Sequence, residues 1–183
     1  YTWKELDEFC EEYSRQWVEA ITISGGEPSL HSDLPKTLKY LRKKGFLLKV
    51  DTNGSKPTAL EKIIPLTDYL AMDIKCSLAK YPELAGWTDV EVLQESVALI
   101  KENAADYEFR TTVLENFHTD EELLACAKLA EGAKRYILQA FLPREDLPAE
   151  EYITQQRTSL SFLQHAQKIV APWVQECIIR GEN

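Results

Sequence analysis

Three short stretches put polar side chains directly behind apolar runs, and these are the places where chemistry could be done. Ile21-Thr22-Ile23-Ser24 ends in Gly25-Gly26-Glu27-Pro28, Phe46-Leu47-Leu48-Lys49-Val50 ends in Asp51-Thr52-Asn53-Gly54, and Tyr69-Leu70-Ala71 runs into Met72-Asp73-Ile74-Lys75. A β-branched run stopping at a sharp turn reads as a buried strand. Two adjacent glycines let main-chain groups approach a ligand with no Cβ in the way. Glu27 then sets a carboxylate at the strand's C-terminal end, the end at which α/β folds bind their ligands. Plainer readings stand beside these. Asp51-Thr52-Asn53-Gly54 is a turn in its own right, because Asn-Gly tolerates positive φ. Asp73 and Lys75 project from the same side of a strand and could pair with each other. Met72 alternates to the opposite face and belongs to the core by side chain, so a cation contact there would fall to its carbonyl. Arg110 reads equally as the partner of a strand-end carboxylate and as a ligand residue.

The elements that position these residues follow from local pattern. Thr2-Trp3-Lys4-Glu5 is a capping box, and Trp3, Leu6, Cys10, Tyr13 and Trp17 recur at helical spacing, predicting a helix to about Trp17. Ala20–Ser24 is the first strand. Asp33-Leu34-Pro35 opens a second helix that Gly45 stops. Further strands are expected at 46–50, 69–75, 107–114 and 136–141, with a short one at 177–179. Between them come a short helix at 58–64, helices behind the boxes Thr88-Asp89-Val90-Glu91 and Thr119-Asp120-Glu121-Glu122, a loop at 143–148 and a long helix at 150–171. Strand and helix alternate throughout, which predicts an α/β fold with a parallel sheet and right-handed crossovers.

Composition narrows the class. The chain has 183 residues, 44% of them apolar, with 7 Gly and 8 Pro, so a single globular domain over 1–183 is expected rather than disorder. A formal charge of −9 argues against a nucleic-acid surface. Arg42-Lys43-Lys44 ends a helix, where the dipole favours cations. No apolar run approaches the roughly 18 residues of a membrane span. Cys10, Cys76, Cys126 and Cys177 lack metal-ligand spacing and read as small buried hydrophobes in a reducing cytoplasm. His31, His118 and His165 read as surface or capping residues.

The three stretches, in this order at successive strand ends, resemble the radical S-adenosylmethionine enzymes. Within that family they resemble the glycyl-radical-enzyme activases of the anaerobic ribonucleoside-triphosphate reductase and pyruvate formate-lyase types. The similarity spans residues 17–141. It implies that Gly25, Gly26 and Glu27 hold the amino group of the methionyl part of S-adenosylmethionine and that Lys75 meets its carboxylate. Asp51, Asn53 and Asp73 would lie near the rest of the cofactor, as would Arg110 and the Gln139-Ala140-Phe141 strand end. A monovalent cation would sit at Asp51, Thr52, Met72 and Asp73. The resemblance further implies a [4Fe–4S] cluster, a glycyl radical enzyme as protein substrate, and a one-electron donor such as flavodoxin or ferredoxin. The intact enzyme would work anaerobically in the cytoplasm. It would cleave S-adenosylmethionine reductively to a 5′-deoxyadenosyl radical that takes hydrogen from a backbone glycine.

One feature of that family is missing. Its cluster is held by Cys-x-x-x-Cys-x-x-Cys ahead of the first helix, and no such triplet occurs here. The expectation is therefore a partial (β/α) barrel without its first strand and cluster-binding loop, truncated upstream of Tyr1 and inactive as it stands, with no catalytic residue assigned within it. Two alternatives remain. One is a radical enzyme acting on a small molecule or peptide, of the carboxy-deazaguanine synthase or maturase kind; the other is a cluster-free domain binding a nucleotide or protein. If the Glu27 carboxylate meets the cofactor's ammonium, Glu27→Gln should weaken binding and leave stability nearly unchanged.

Overall fold

A computed structural model describes residues 2–144 and 153–181. Six strands form the framework: β1 Ala20–Ile23, β2 Leu47–Thr52, β3 Tyr69–Asp73, β4 Tyr107–Val113, β5 Tyr136–Ala140 and β6 Cys177–Arg180. Seven described helices accompany them: α1 Trp3–Arg15, α2 Leu34–Lys43, α3 Pro57–Ile63, α4 Tyr81–Ala85, α5 Glu91–Asn103, α6 Asp120–Leu129 and α7 Leu160–Val170. The strands lie in chain order, β1-β2-β3-β4-β5-β6. β1 is parallel to β2 and β2 to β3, as β4 is to β5 and β5 to β6. Sequential order is the winding of a (β/α) barrel, since a doubly wound sheet reverses its order midway.

The chain divides into two compact units, Tyr1–Met72 with Glu95–Tyr107, and Asp73–Gln94 with Glu108–Asn183. In the first, α2 turns Leu34, Leu38 and Leu41 inward beside Leu48 and Val50 of β2, Leu60 and Ile63 of α3, and Leu70 of β3, all buried. Asp68 fixes the entry to β3 by accepting from the Leu48 N–H at 2.8 Å and from Arg42 at 3.2 Å. Arg42 thus combines a helix-terminal position with an ion pair. In the second unit, Phe109, Val113, Tyr136, Ile137 and Leu138 of the strands are buried with Leu123, Cys126, Leu163 and Val170 of α6 and α7. Glu108 is also fully buried there, and Arg180 meets both its oxygens at 2.7 and 2.6 Å. A bidentate guanidinium is what makes such burial tolerable.

Several local expectations shift. α1 stops at Arg15, and Trp17 takes a left-handed φ of +66° while 92% exposed, reversing the chain into β1. α5 opens at Glu91 rather than directly behind Thr88. The long helix expected at 150–171 is interrupted: Ile153 is helical, 154–159 are not, and the helix from Leu160 has Ser159 as its cap, while residues 150–152 lie outside the described residues. The reason is tertiary. Thr158 donates its hydroxyl to the Val113 carbonyl and accepts the Phe141 N–H at 3.0 Å, while the Ser159 N–H goes to Glu115 at 2.6 Å. These bonds hold the segment off the helical path. Of the loop expected at 143–148, Pro143 and Arg144 are irregular, and the remainder lies outside the described residues. Among the described residues, no helix is long and apolar enough to cross a membrane.

Candidate functional site

β1 ends at Ile23, and Gly25 and Gly26 follow with φ of +93° and +44°. Those angles are why glycine stands at both positions. A Cβ placed on either would meet no atom within 4 Å, so the turn faces open space. Among the described residues, nothing hydrogen-bonds to the main-chain carbonyl of Gly25 or Gly26.

The Glu27 carboxylate is held from within the chain. Its side chain is 7% exposed and takes three donors: Oε1 accepts the Ser29 N–H at 3.0 Å and the Thr52 hydroxyl at 2.8 Å, and Oε2 accepts the Asn53 N–H at 2.6 Å. The carboxylate thus caps the 3₁₀ turn Pro28–Leu30 and ties the end of β1 to the end of β2. Thr52 Oγ1 in turn accepts the Gly54 N–H at 3.1 Å, Asn53 Oδ1 the Ser55 N–H at 2.9 Å, and the Gly54 carbonyl the Ser96 hydroxyl at 2.7 Å. Asp51 pairs with Lys49, two residues back on the same face of β2, at 3.4 Å. The Met72 side chain is fully buried. In this unit the fold therefore gathers Gly25, Gly26, Glu27, Thr52 and Asn53, and gives Asp51 an ion-pair partner of its own.

The second unit carries Asp73, Lys75 and Arg110. Arg110 Nε donates to Asp73 Oδ1 at 2.8 Å, so it is Arg110, and not Lys75, that pairs with Asp73. β3 ends at Asp73, and the main-chain groups beyond it are met by one further main-chain carbonyl and by side chains. The Ile74 N–H reaches the Arg110 carbonyl at 2.8 Å, and the Ile74 carbonyl takes the Thr111 hydroxyl at 2.6 Å. Since that proton is used, the buried Tyr136 hydroxyl, 2.6 Å from Thr111 Oγ1, is the donor to it. The Lys75 N–H donates to the Tyr81 hydroxyl at 2.9 Å, and the Lys75 carbonyl lies 2.9 Å from His118 Nε2. Glu122 accepts from the Ser77 N–H at 3.1 Å and the Ser77 hydroxyl at 2.8 Å. The Lys75 side chain itself is exposed, and among the described residues its ammonium makes no ion pair.

Sequence reasoning missed part of this scaffold. His118, read as a surface or capping residue, is fully buried, and burial pulls its pKa below the ordinary value. Nothing in Asn116-Phe117-His118 signals that role. Glu122 was expected to close a capping box behind Thr119. Thr119 does cap α6, but the Glu122 carboxylate turns away to Ser77, since a buried main-chain donor there needs it more than the exposed helix end does. His31 and His165 are exposed as expected, His165 meeting Asp120 at 2.8 Å. Gln139 and Ala140 close β5 in register with Arg180 and Val113 respectively.

The cysteines do not offer a cluster site. Cys10, Cys76 and Cys126 are buried, while Cys177 is half-buried, against its reading as a core residue. Burial pushes the thiols of Cys76 and Cys177 up to about 12. Among the described residues, no three His, Cys, Asp or Glu side chains gather as metal ligands. Cluster ligation requires several converging thiolates, so these residues do not fit a [4Fe–4S] group.

Comparison with known proteins places the chain. It is 31% identical over 186 residues to a protein of Methanocaldococcus jannaschii provisionally named a glycyl-radical enzyme activating enzyme, covering 97% of this chain and 77% of that one. It is 28% identical over 136 residues to the 7-carboxy-7-deazaguanine synthase of Thermococcus kodakarensis, covering 73% of this chain and 51% of the relative. Its fold is similar to the crystal structure of a domain of pyruvate-formate lyase-activating enzyme from Bacteroides vulgatus, with a TM-score of 0.71 at 19% identity, over 89% of this chain and 99% of that one. The sequence profile of the radical SAM superfamily matches residues 1–130. The sequential strand order, the profile match and the near-full-length similarity agree: the chain belongs to the radical SAM superfamily.

Proposed function

We propose that the chain holds S-adenosylmethionine through the strand-end residues, and that the protein it represents activates a glycyl radical enzyme. The observation that carries this reading is Lys75, an exposed ammonium with no ion pair among the described residues, on a main chain fixed on both sides. It suits the carboxylate of the methionyl group as a point-charge partner. For the amino group, the Glu27 oxygens already hold three donors, so the Gly25-Gly26 main chain is the better acceptor, with Glu27 fixing the turn. Asn53 and the Arg110–Asp73 pair would border the remainder, and a monovalent cation would call on Asp51, Thr52, Met72 and Asp73. When bound, S-adenosylmethionine would serve as the radical source once a separate donor reduces it by one electron, and the chain's own part is to bind and orient it. The glycyl radical enzyme and a one-electron donor are the partners this reading implies.

Isothermal titration of the chain with S-adenosylmethionine tests the binding claim. Saturable binding that weakens by roughly one to two powers of ten in Lys75→Met is the expected result, the loss of a charged contact of about 1.5–3 kcal/mol. Heat of dilution alone in the wild type refutes the reading. The similarity to a 7-carboxy-7-deazaguanine synthase supports a second reading, a small-molecule radical enzyme. The two differ in product: the intact enzyme should raise a glycyl radical signal in a protein partner by electron paramagnetic resonance, whereas formation of 7-carboxy-7-deazaguanine would assign the second.

A further inference from the structure

We infer that His118 and Tyr81 are positioning residues for Lys75, acting on its peptide groups rather than on its side chain. The inference rests on the reading of Lys75 as the carboxylate partner given above. Four consecutive residues, Ile74 to Ser77, follow the end of β3, and Lys75 is the one exposed residue among them. Ile74 and Cys76 are fully buried on either side of it. The two bonds to Lys75 come from separate elements, Tyr81 at the start of α4 and His118 in the connection from β4 to α6, both shielded from water.

The direction of the histidine bond is determined by its other nitrogen. The Leu114 N–H donates to His118 Nδ1 at 2.9 Å, so Nδ1 is the acceptor and the ring proton sits on Nε2. Nε2–H is therefore the donor to the Lys75 carbonyl at 2.9 Å. The neutral ring thus bridges the exit of β4 and the exit of β3, each through one directed bond. With its N–H bound to Tyr81 and its carbonyl to His118, Lys75 cannot rotate either peptide plane without leaving a buried group unpaired, which opposes such motion strongly. The side chain consequently departs from a fixed root, and less disorder has to be removed when it meets an anion. A ring serving only to satisfy stray main-chain groups would stabilise the fold equally whatever residue occupied position 75. That difference can be measured.

The test is a double-mutant cycle read by titration with S-adenosylmethionine. His118→Phe keeps the ring's size and removes both nitrogens. His118→Gln restores a donor and an acceptor on one planar group. His118→Phe should weaken binding roughly tenfold when Lys75 is present and by less than about twofold in a Lys75→Met background. His118→Gln should recover most of the loss. Equal weakening in both backgrounds means that His118 acts on the fold at large and overturns the inference. Amide hydrogen exchange across 74–77 is followed in the same proteins without ligand and should accelerate at least about tenfold in His118→Phe. If the wild type fails to bind, or Lys75→Met binds normally, the reading of Lys75 falls. Exchange then decides the clamp by itself, with acceleration upholding it and unchanged exchange overturning it. Should His118→Phe not fold, Tyr81→Phe, which removes a single oxygen, takes its place in the cycle under the same criteria.

Discussion

Glu27 and Lys75 both stand at the exit of a parallel strand, and the fold treats them in opposite ways. At the turn after β1 the side chain is committed: the Glu27 carboxylate holds three internal donors, while the carbonyls of Gly25 and Gly26 have no partner among the described residues. After β3 the main chain is committed, its groups at Ile74, Lys75 and Ser77 bound to Arg110, Thr111, Tyr81, His118 and Glu122, while the Lys75 ammonium has no partner among the described residues. One exit therefore presents backbone acceptors on an anchored turn, and the other presents a cation on an anchored strand end. A charged residue at a strand end does not by itself reveal which of its groups is available. The count of internal partners does.

The contrast can be broken most directly at Glu27. Because its carboxylate is buried and holds three donors, Glu27→Gln should cost about 2–3 kcal/mol, contrary to the expectation of unchanged stability drawn from the sequence. The melting temperature should fall by roughly 4–12 °C. A melting curve indistinguishable from wild type would return the carboxylate to the ligand and erase the distinction. Gly25→Ala comes next. Its Cβ meets nothing, so only the left-handed φ opposes it, at about 1–2 kcal/mol by chemical denaturation. The same substitution should weaken S-adenosylmethionine binding, since the methyl group occupies the open space before the turn. Wild-type affinity in that variant would mean the ligand does not approach there.

Acid should loosen the second exit. Burial lowers the folded-state pKa of His118 beneath the ordinary histidine value, so the unfolded chain takes up the proton first as the pH drops. The contribution of the neutral ring is complete above that value and is lost as the pH falls through the lower folded pKa. Denaturation midpoints at about pH 7.5 and about pH 5.5 should therefore differ more for the wild type than for His118→Gln. Equal differences would show that the ring does not titrate between states. The smallest expected effect on stability is at Lys75 itself. Lys75→Met should stay within about 0.5 kcal/mol of wild type while binding falls, because an exposed, unpaired side chain contributes little to folding. A large stability loss there would make Lys75 a structural residue and collapse the comparison.

The alternation of strand and helix, the order of the elements and the three strand-end motifs were legible in the primary structure. They depend on periods, caps and turn residues that act within a few positions of each other. Gly25 and Gly26 could be read as a turn because positive φ is a property of the residue itself. The same local logic failed at Thr158 and Ser159, whose bonds to Phe141 and Glu115, far along the chain, set the start of α7. It failed at Glu122, whose carboxylate serves Ser77 across 45 residues rather than its own helix. The roles of Glu27, Arg110 and His118 were likewise decided by tertiary structure. Each is a polar group whose state depends on which donors burial brings within about 3 Å. Composition and spacing carry no record of that. The sequence determines which residues arrive at the strand exits, while packing determines whether each presents its side chain or its backbone there.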